Sequence, residues 1–121
     1  MVIASWNVNS IRARMGHLKK WLEETQPDLL ALQETKVDDP QFPHADLADT
    51  GYHVAIHGQK SYNGVAILSR EPLESVSTGY LPGWPSDCRV QVCRCQGVAI
   101  INTYVPNGTF VPPPKNPESP K

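Results

Sequence analysis

The sequence lacks the features that mark several large protein classes. No run approaches the roughly 20 apolar residues that a membrane-spanning helix requires, and the apolar segment after Met1 carries no basic leader. The three cysteines, Cys88, Cys93 and Cys95, do not form the paired sets that a disulfide framework or a structural zinc site needs. We therefore expect reduced thiols, no membrane association and a cytoplasmic location.

The chain also has little net charge. Its 11 basic and 12 acidic residues give a formal net charge of −1. This balance excludes binding to nucleic acid through bulk positive charge, so any such contact must come from a local patch. The 121 residues, 40% of them hydrophobic, suit one packed domain or a part of one.

The first third of the chain predicts strand, helix and strand. Residues 2–8 are apolar and β-branched at their start, residues 11–22 carry apolar side chains at helical spacing, and residues 29–32 are continuously apolar. A helical crossover of this length joins parallel strands, and such strands end at the same edge of a sheet. We therefore expect Asn7 and Glu34, which follow the two strands, to share that edge.

The remaining chain predicts strands, with a different composition at its end. The segments 53–56 and 64–68 predict a hairpin with a long polar tip. Further strands are expected at 73–77, 89–95 and 98–104. The last 17 residues hold six of the 12 prolines, which favours an extended backbone. We therefore divide the chain into a folded part, 1–108, and a proline-rich tail, 109–121.

Polar side chains follow the apolar strands, at the edge where open α/β sheets bind ligands. Glu34 offers the hard oxygen that magnesium prefers, although it could instead cap the next turn or pair with Lys36. Asn7 could close a turn with its own backbone. Tyr104 could fill the core with its hydroxyl at the surface. Taken singly, these residues leave both kinds of role open.

Four motifs taken together are more specific. They are WNVNSIRAR at 6–14, QETK at 33–36, YNGVA at 62–66 and YVPNG at 104–108. In order and spacing the motifs resemble the exonuclease III family of abasic-site endonucleases, part of the endonuclease/exonuclease/phosphatase superfamily. The resemblance extends from Met1 to about Gly108.

The resemblance implies a fold. The family has a four-layer α/β sandwich, in which two sheets pack face to face with helices outside. We expect this α/β chain to form the N-terminal half of such a sandwich, an incomplete domain with one mixed β-sheet and helices on its outer face. The inner apolar face of that sheet would then be uncovered, which favours association or aggregation.

The resemblance also implies roles for residues of this sequence. Glu34 is similar to the family's magnesium-binding glutamate, and Asn7 matches the asparagine that organises the metal and the catalytic carboxylates. Asn9 stands where some relatives have a second acidic ligand, which weakens the case for two metals. Tyr104 matches the tyrosine that contacts the scissile phosphate or helps to stabilise charge there, and Asn107 matches a neighbouring phosphate contact. The implied cofactor is Mg²⁺ or Mn²⁺.

A third group of residues is implied to contact DNA. Arg12, Lys36, Tyr62 and Arg89 match positions at or near those that face the DNA backbone or grooves in relatives. A solvated helix face is the alternative for the basic residues of the predicted helix. The implied partner is double-stranded DNA, above all abasic sites and 3′ ends.

The family's later motifs are missing from this sequence, which has no Gly-Asp-x-Asn and no terminal Ser-Asp-His. We therefore expect a truncated chain that is catalytically incomplete, from an enzyme that is monomeric at full length. That enzyme would cut DNA 5′ to abasic sites and degrade 3′ ends. Two alternatives remain: a non-catalytic DNA-binding half-domain, and another phosphodiesterase or phosphatase of the superfamily, acting on phosphoinositides or sphingomyelin.

Overall fold

Seven strands and two helices make up the regular structure of residues 1–59, 63–79 and 88–104, the parts of the chain that the computed structural model describes. The strands are β1 (Ile3–Asn7), β2 (Leu29–Gln33), β3 (His53–His57), β4 (Val65–Ser69), β5 (Glu74–Gly79), β6 (Val90–Cys95) and β7 (Val98–Thr103). The helices are α1 (Ile11–Thr25) and α2 (His44–Leu47), with 3-10 turns at Asp39–Gln41 and Ala48–Thr50.

The first sheet has the strand order β1-β2-β4-β3. β1 and β2 are parallel, with Asn7 opposite Gln33, whereas β4 runs antiparallel to both β2 and β3. This arrangement confirms the predicted strand, helix and strand unit and the hairpin. It also brings the residues after β1 and β2 to one edge of the sheet.

Helix α1 covers the outer face of this sheet. The Ser10 hydroxyl caps the helix by accepting the Ala13 N–H at 3.3 Å. The apolar side of α1 is buried in a cluster with side chains from β2 and β4, and it consists of Ile11, Leu18 and Leu22. Full burial of each such side chain contributes about 1.5–3 kcal/mol. None of the helices described is long and apolar enough to cross a bilayer.

A second, antiparallel sheet packs on the inner face of the first and has the order β5-β6-β7. The layer between the sheets buries six apolar or thiol side chains: Leu29, Ala31, Ile67, Cys93, Cys95 and Ile100. The α/β fold is as expected, but the expectation of one sheet with a bare inner face was wrong. Side chains alternate between buried and exposed along β6 and β7, so these strands form a separate layer with one face on the core.

The second sheet leaves its own outer face open to solvent. Val92 and Ile101 lie opposite each other there, and Ile101 is 69% exposed. At the start of the first sheet Val2 and Ile3 are also exposed. The apolar surface that we expected on the first sheet is therefore found mainly on the second sheet and beside β1.

Gly64 lets the start of β4 approach the residues that follow β2. The φ of Gly64 is +92°, a backbone conformation that residues with a Cβ rarely adopt. An added Cβ would also overlap the Thr35 hydroxyl oxygen. The Thr35 N–H donates to the Gly64 carbonyl at 3.1 Å, and the Lys36 N–H donates to the Asn63 carbonyl at 2.9 Å. A glycine is thus required for this contact.

Gly64→Ala should therefore destabilise the chain more than a glycine substitution that meets no neighbour. Gly97 is a matched control because its φ is +80° and an added Cβ meets nothing within 4 Å. We expect Gly64→Ala to lower the free energy of unfolding by roughly 1–3 kcal/mol more than Gly97→Ala, through the forced displacement of Thr35. Urea unfolding measures the difference, and equal losses would show that the close approach is unimportant.

Because two thiols are buried between the sheets, we expect the free energy of unfolding to fall at alkaline pH. Burial raises the pKa of Cys93 and of Cys95 above the ordinary value of about 9, and each is raised further by neighbouring groups: Cys95 acting on Cys93, and Glu71, Asp28 and Glu74 acting on Cys95. Above that pH the unfolded chain loses thiol protons that the folded chain keeps. The free energy of unfolding should therefore be insensitive to these groups below pH 9 and should fall above it.

Denaturant unfolding across this pH range measures the slope. Replacing both Cys93 and Cys95 by alanine should lower stability at neutral pH but flatten the alkaline decline. Ile67→Val, a loss of packing in the same layer, should lower stability by about 1 kcal/mol at every pH and leave the slope unchanged. An alkaline slope that survives the double substitution would assign the decline to other groups.

Candidate active site

The segment 33–36 lies at the centre of the candidate site. On one side, backbone hydrogen bonds extend the pairing with β1 into the start of α1: Val8 N–H to Gln33 O at 2.9 Å, Ser10 N–H to Glu34 O at 2.8 Å and Ile11 N–H to Thr35 O at 3.0 Å. On the other side it is bonded to residues 63 and 64. Held from both sides, this segment has a defined position after the strand ends.

The same region concentrates unusual backbone conformations. Eight non-glycine residues in the described ranges have positive φ, and five of them lie in these three neighbouring segments: Asn9, Ser10, Glu34, Lys36 and Asn63. Each costs free energy that the surrounding contacts must offset. Strained residues of this kind cluster at functional sites, so the backbone marks the same edge that the motifs indicate.

The Glu34 carboxylate receives contacts from both sheets. Its Oε2 accepts a hydrogen bond from Asn7 Nδ2 at 2.7 Å, and its Oε1 lies 3.8 Å from Lys36 Nζ. Tyr104 follows β7 in the second sheet, and its hydroxyl lies close enough to the same carboxylate for Glu34 to raise the pKa of the phenol. Asn7 and Glu34 therefore share one edge of the sheet, as predicted, and Tyr104 reaches the same edge from the second sheet.

Asn7 makes both of the interactions that the sequence left open. Its Oδ1 accepts the Asn9 N–H at 3.2 Å, which closes a turn after β1, while its Nδ2 donates to Glu34. The turn fixes the orientation of the carboxamide, and the carboxamide in turn orients the carboxylate. Among the described contacts, Asn7 thus acts on Glu34 through a hydrogen bond.

Tyr104 is held in place by the second sheet. Its N–H donates to the Arg89 carbonyl at 2.8 Å, and the Arg89 guanidinium carbon lies 5.6 Å from the centre of its ring. Burial raises the pKa of Tyr104, the charge of Glu34 and the hydrogen bond to Glu34 raise it further, and Arg89 opposes the rise. The phenol is therefore neutral at physiological pH and can donate a hydrogen bond.

The remaining predicted residues are placed unequally. Arg12 is exposed on the first turn of α1, beside the site, and Lys36 is partly buried with its ammonium group near Glu34. Arg89 lies against Tyr104. Tyr62 and Asn107, and with them the tail 109–121, lie outside the described residues.

One carboxylate with a neighbouring carboxamide is a sparse metal site. Within residues 1–59, 63–79 and 88–104, no three His, Cys, Asp or Glu side chains cluster as ligands of one metal ion. Magnesium nevertheless suits such a site, because it commonly takes one or two carboxylates and keeps several waters or substrate phosphates. The oxygen donors of Glu34 and Asn7 fit a hard divalent cation, whereas thiolates are soft ligands that suit other metals.

Several residues that support the site were not singled out in the sequence. Gln33 Nε2 donates to Ser5 Oγ at 3.0 Å and to Asn102 Oδ1 at 2.9 Å, between the sheets. Gln59 Oε1 accepts from Asn63 Nδ2 at 3.0 Å and from the Cys88 N–H at 2.7 Å. The only sequence signal for Asn102 is a polar residue at an inward position of an alternating strand, and Gln59 carries none.

The candidate site is an open edge of the sheets, and Glu34 lies outside two grooves found on the described part of the chain. A groove of about 540 Å³ lies beyond the end of α1, beside Tyr52 and Arg70. A second, of about 330 Å³, lies between α1 and β1, beside Trp6 and Trp21. Neither includes Glu34, so the chemistry of this edge rests on its donor and acceptor groups.

Several known proteins are similar to this chain in sequence and in fold. Residues 4–120 match the sequence profile of the Endonuclease/Exonuclease/phosphatase family. Exodeoxyribonuclease III of Haemophilus influenzae is 35% identical over 114 residues, which covers 89% of this chain and 42% of that protein. An AP endonuclease from Archaeoglobus fulgidus superposes with a TM-score of 0.82 at 47% identity, over 89% of this chain and 42% of that one.

A 3′ phosphatase from Neisseria, solved with a product DNA hairpin, superposes with a TM-score of 0.82 at 44% identity, over 89% of this chain and 42% of that one. The chain thus spans about 42% of the length of these relatives. The expected resemblance to exonuclease III is confirmed. Since the family profile matches nearly the whole sequence, the chain belongs to the endonuclease/exonuclease/phosphatase family.

Proposed function

We propose that the chain is part of a DNA-repair phosphodiesterase that hydrolyses DNA backbone bonds with the help of a divalent metal ion. The observation that carries the proposal is the convergence of Asn7, Glu34 and Tyr104 from two sheets. This arrangement joins an acidic metal ligand to a neutral hydrogen-bond donor. A bound metal ion and a hydrogen-bond donor can each stabilise the negative charge on a phosphoryl group.

DNA is the proposed partner because the similar proteins act on it or are named for such action. The relatives include an exodeoxyribonuclease III, an AP endonuclease and a 3′ phosphatase solved with a DNA hairpin. We propose cleavage 5′ to abasic sites and trimming of 3′ ends as the activities of the whole protein. Arg12, exposed on the first turn of α1, and Lys36, beside Glu34, would contact phosphates of double-stranded DNA.

The proposed cofactor is Mg²⁺ or Mn²⁺, held by Glu34 with Asn7 orienting the carboxylate. When bound, such an ion neutralises phosphoryl oxygens and favours attack by water. Tyr104 keeps its proton, because burial and the Glu34 charge raise the pKa of its hydroxyl. It is therefore available as a donor to a phosphoryl oxygen, and Arg89 adds positive charge beside its ring.

From the resemblance we also propose that Asn107 contacts a phosphate and that Tyr62 contacts DNA.

A second candidate function is DNA binding without cleavage, favoured by the lack of Gly-Asp-x-Asn and Ser-Asp-His motifs in these 121 residues. Groups that act as a unit lose orders of magnitude in rate when one is missing. We therefore propose little turnover for residues 1–121 alone.

Metal binding tests the proposal directly. We expect Glu34→Gln to abolish saturable Mn²⁺ binding, measured by electron paramagnetic resonance or calorimetry, because the amide replaces the anionic ligand with a neutral one. Any metal-dependent cleavage of a duplex with one abasic site should be lost as well. Glu24→Gln, an exposed acid on α1, is the control and should leave both unchanged. Equal Mn²⁺ binding by wild type and Glu34→Gln would contradict the proposed ligand.

DNA binding can be tested without metal. We expect Arg12→Gln and Lys36→Gln each to weaken binding to an abasic-site duplex and to reduce the slope of log K against log salt by roughly 0.9, the value for one lost phosphate contact. Fluorescence anisotropy in EDTA over a salt series measures both quantities. Lys20→Gln, elsewhere on α1, should leave the slope unchanged, and a slope that is the same in all four proteins would remove these residues from the DNA surface.

A further inference from the structure

The layer between the two sheets is apolar over most of its area but polar at one end. Asn102 on β7 and Gln91 on β6 are neighbours across the second sheet, and they are 2% and 0% exposed. Both point into the layer that elsewhere holds Leu29, Ile67 and Ile100. Apolar side chains would fill this space, so packing alone does not explain two buried carboxamides.

Both ends of the Asn102 carboxamide are hydrogen bonded. Its Nδ2 lies 3.1 Å from each of three acceptors, the Leu32 carbonyl, the Ala66 carbonyl and Gln91 Oε1. Its Oδ1 accepts from Gln33 Nε2 at 2.9 Å. A single side chain thus links β7 to β2 and β4 of the first sheet and to β6 of its own.

Gln91 extends the network across the first sheet. Its Nε2 donates to the Ala55 carbonyl of β3 at 3.0 Å. Hydrogen bonds fix the relative position of two groups, whereas apolar contacts permit one sheet to slide on the other with little change in buried area. Buried polar groups serve in this way to select one arrangement among several of similar packing.

The network lies at the end of the layer that adjoins the candidate site. Asn102 precedes Tyr104 by two residues, and its partner Gln33 directly precedes Glu34. Tyr104 comes from the second sheet and Glu34 from the first, so the approach of the Tyr104 hydroxyl to the Glu34 carboxylate requires a definite register between the sheets. Among the described residues, the side chains of Asn102 and Gln33 form hydrogen bonds between β7 and β2 at this end of the layer.

We propose that Asn102 is a positioning residue that sets the register of the second sheet on the first, so that the Tyr104 hydroxyl meets the Glu34 carboxylate. The catalytic meaning of that meeting rests on the proposed function, but the positioning itself does not. Asn102 is buried between the sheets, and it acts only through the strands that carry Tyr104 and Glu34.

The test compares Asn102→Leu with Ile100→Ala in the 121-residue chain. Leucine has a similar shape but no hydrogen-bonding group, while Ile100→Ala weakens packing in the same layer, on the same strand, and leaves the network intact. The first readout is the ¹³Cζ NMR resonance of Tyr104 in tyrosine-labelled protein, assigned with Tyr104→Phe. Glu34→Ala gives the reference position for a phenol that has lost its carboxylate partner.

We expect Asn102→Leu to move the Tyr104 resonance most of the way to the Glu34→Ala position, and Ile100→Ala to leave it in place even where its melting temperature falls as far. Equal shifts in the two variants, or no shift in Asn102→Leu, would overturn the proposal. If Asn102→Leu does not fold, Gln33→Met provides a second test, because it removes the hydrogen bond between Gln33 and Asn102 at a partly exposed position. We expect Gln33→Met to shift the Tyr104 resonance in the same direction but by less. No shift in Gln33→Met would overturn the proposal equally.

The second readout is Mn²⁺ affinity. Supporting residues around metal ligands change affinity by about 10–100-fold, and we expect the lower end of this range, roughly ten-fold weaker binding, for Asn102→Leu and no change for Ile100→Ala. If the wild-type chain binds no Mn²⁺, the proposed function fails while the NMR comparison still decides the role of Asn102. If Asn102→Leu shifts the Tyr104 resonance but leaves the Mn²⁺ affinity unchanged, Asn102 positions Tyr104 alone, and the proposed effect of Asn102 on Glu34 is overturned.

Discussion

The candidate site depends on the main-chain hydrogen bonds that hold one short segment, residues 33–36, between two neighbouring segments of the chain. The start of α1 binds it on one side, and residues 63 and 64 bind it on the other. These bonds offset the cost of positive φ at Glu34 and Lys36. The Glu34 carboxylate is consequently placed by three chain segments that are distant in sequence, which gives it a more exact position than a loop alone would allow.

The site is also shared between the two sheets. The first sheet supplies Asn7 and Glu34, and the second supplies Tyr104 with Arg89 beside its ring. The contact between the sheets therefore brings together the groups of the candidate site and also contributes to stability. A purely apolar layer would stabilise the sheets at many relative positions, whereas the hydrogen bonds of Asn102 hold one of them.

Sequence patterns predicted the elements of this fold better than their assembly. The crossover rule placed Asn7 and Glu34 at one edge, and their side chains bond there at 2.7 Å. The alternating pattern of β6 and β7 identified them as strands but could not say which sheet they join, because a strand's period is the same in either. The expectation of one sheet was wrong for that reason.

By itself, the sequence determined the strand, helix and strand unit, the hairpin, the family motifs and the identity of the polar groups that follow the strands. These depend on local spacing and residue type, which are legible along the chain. Only the tertiary structure decided that Tyr104 reaches Glu34 from a second sheet and that Asn102 joins the two. Those contacts arise from the relative position of the layers, and the side chains that fix it are polar residues at buried positions, whose partners lie up to 70 residues away along the chain.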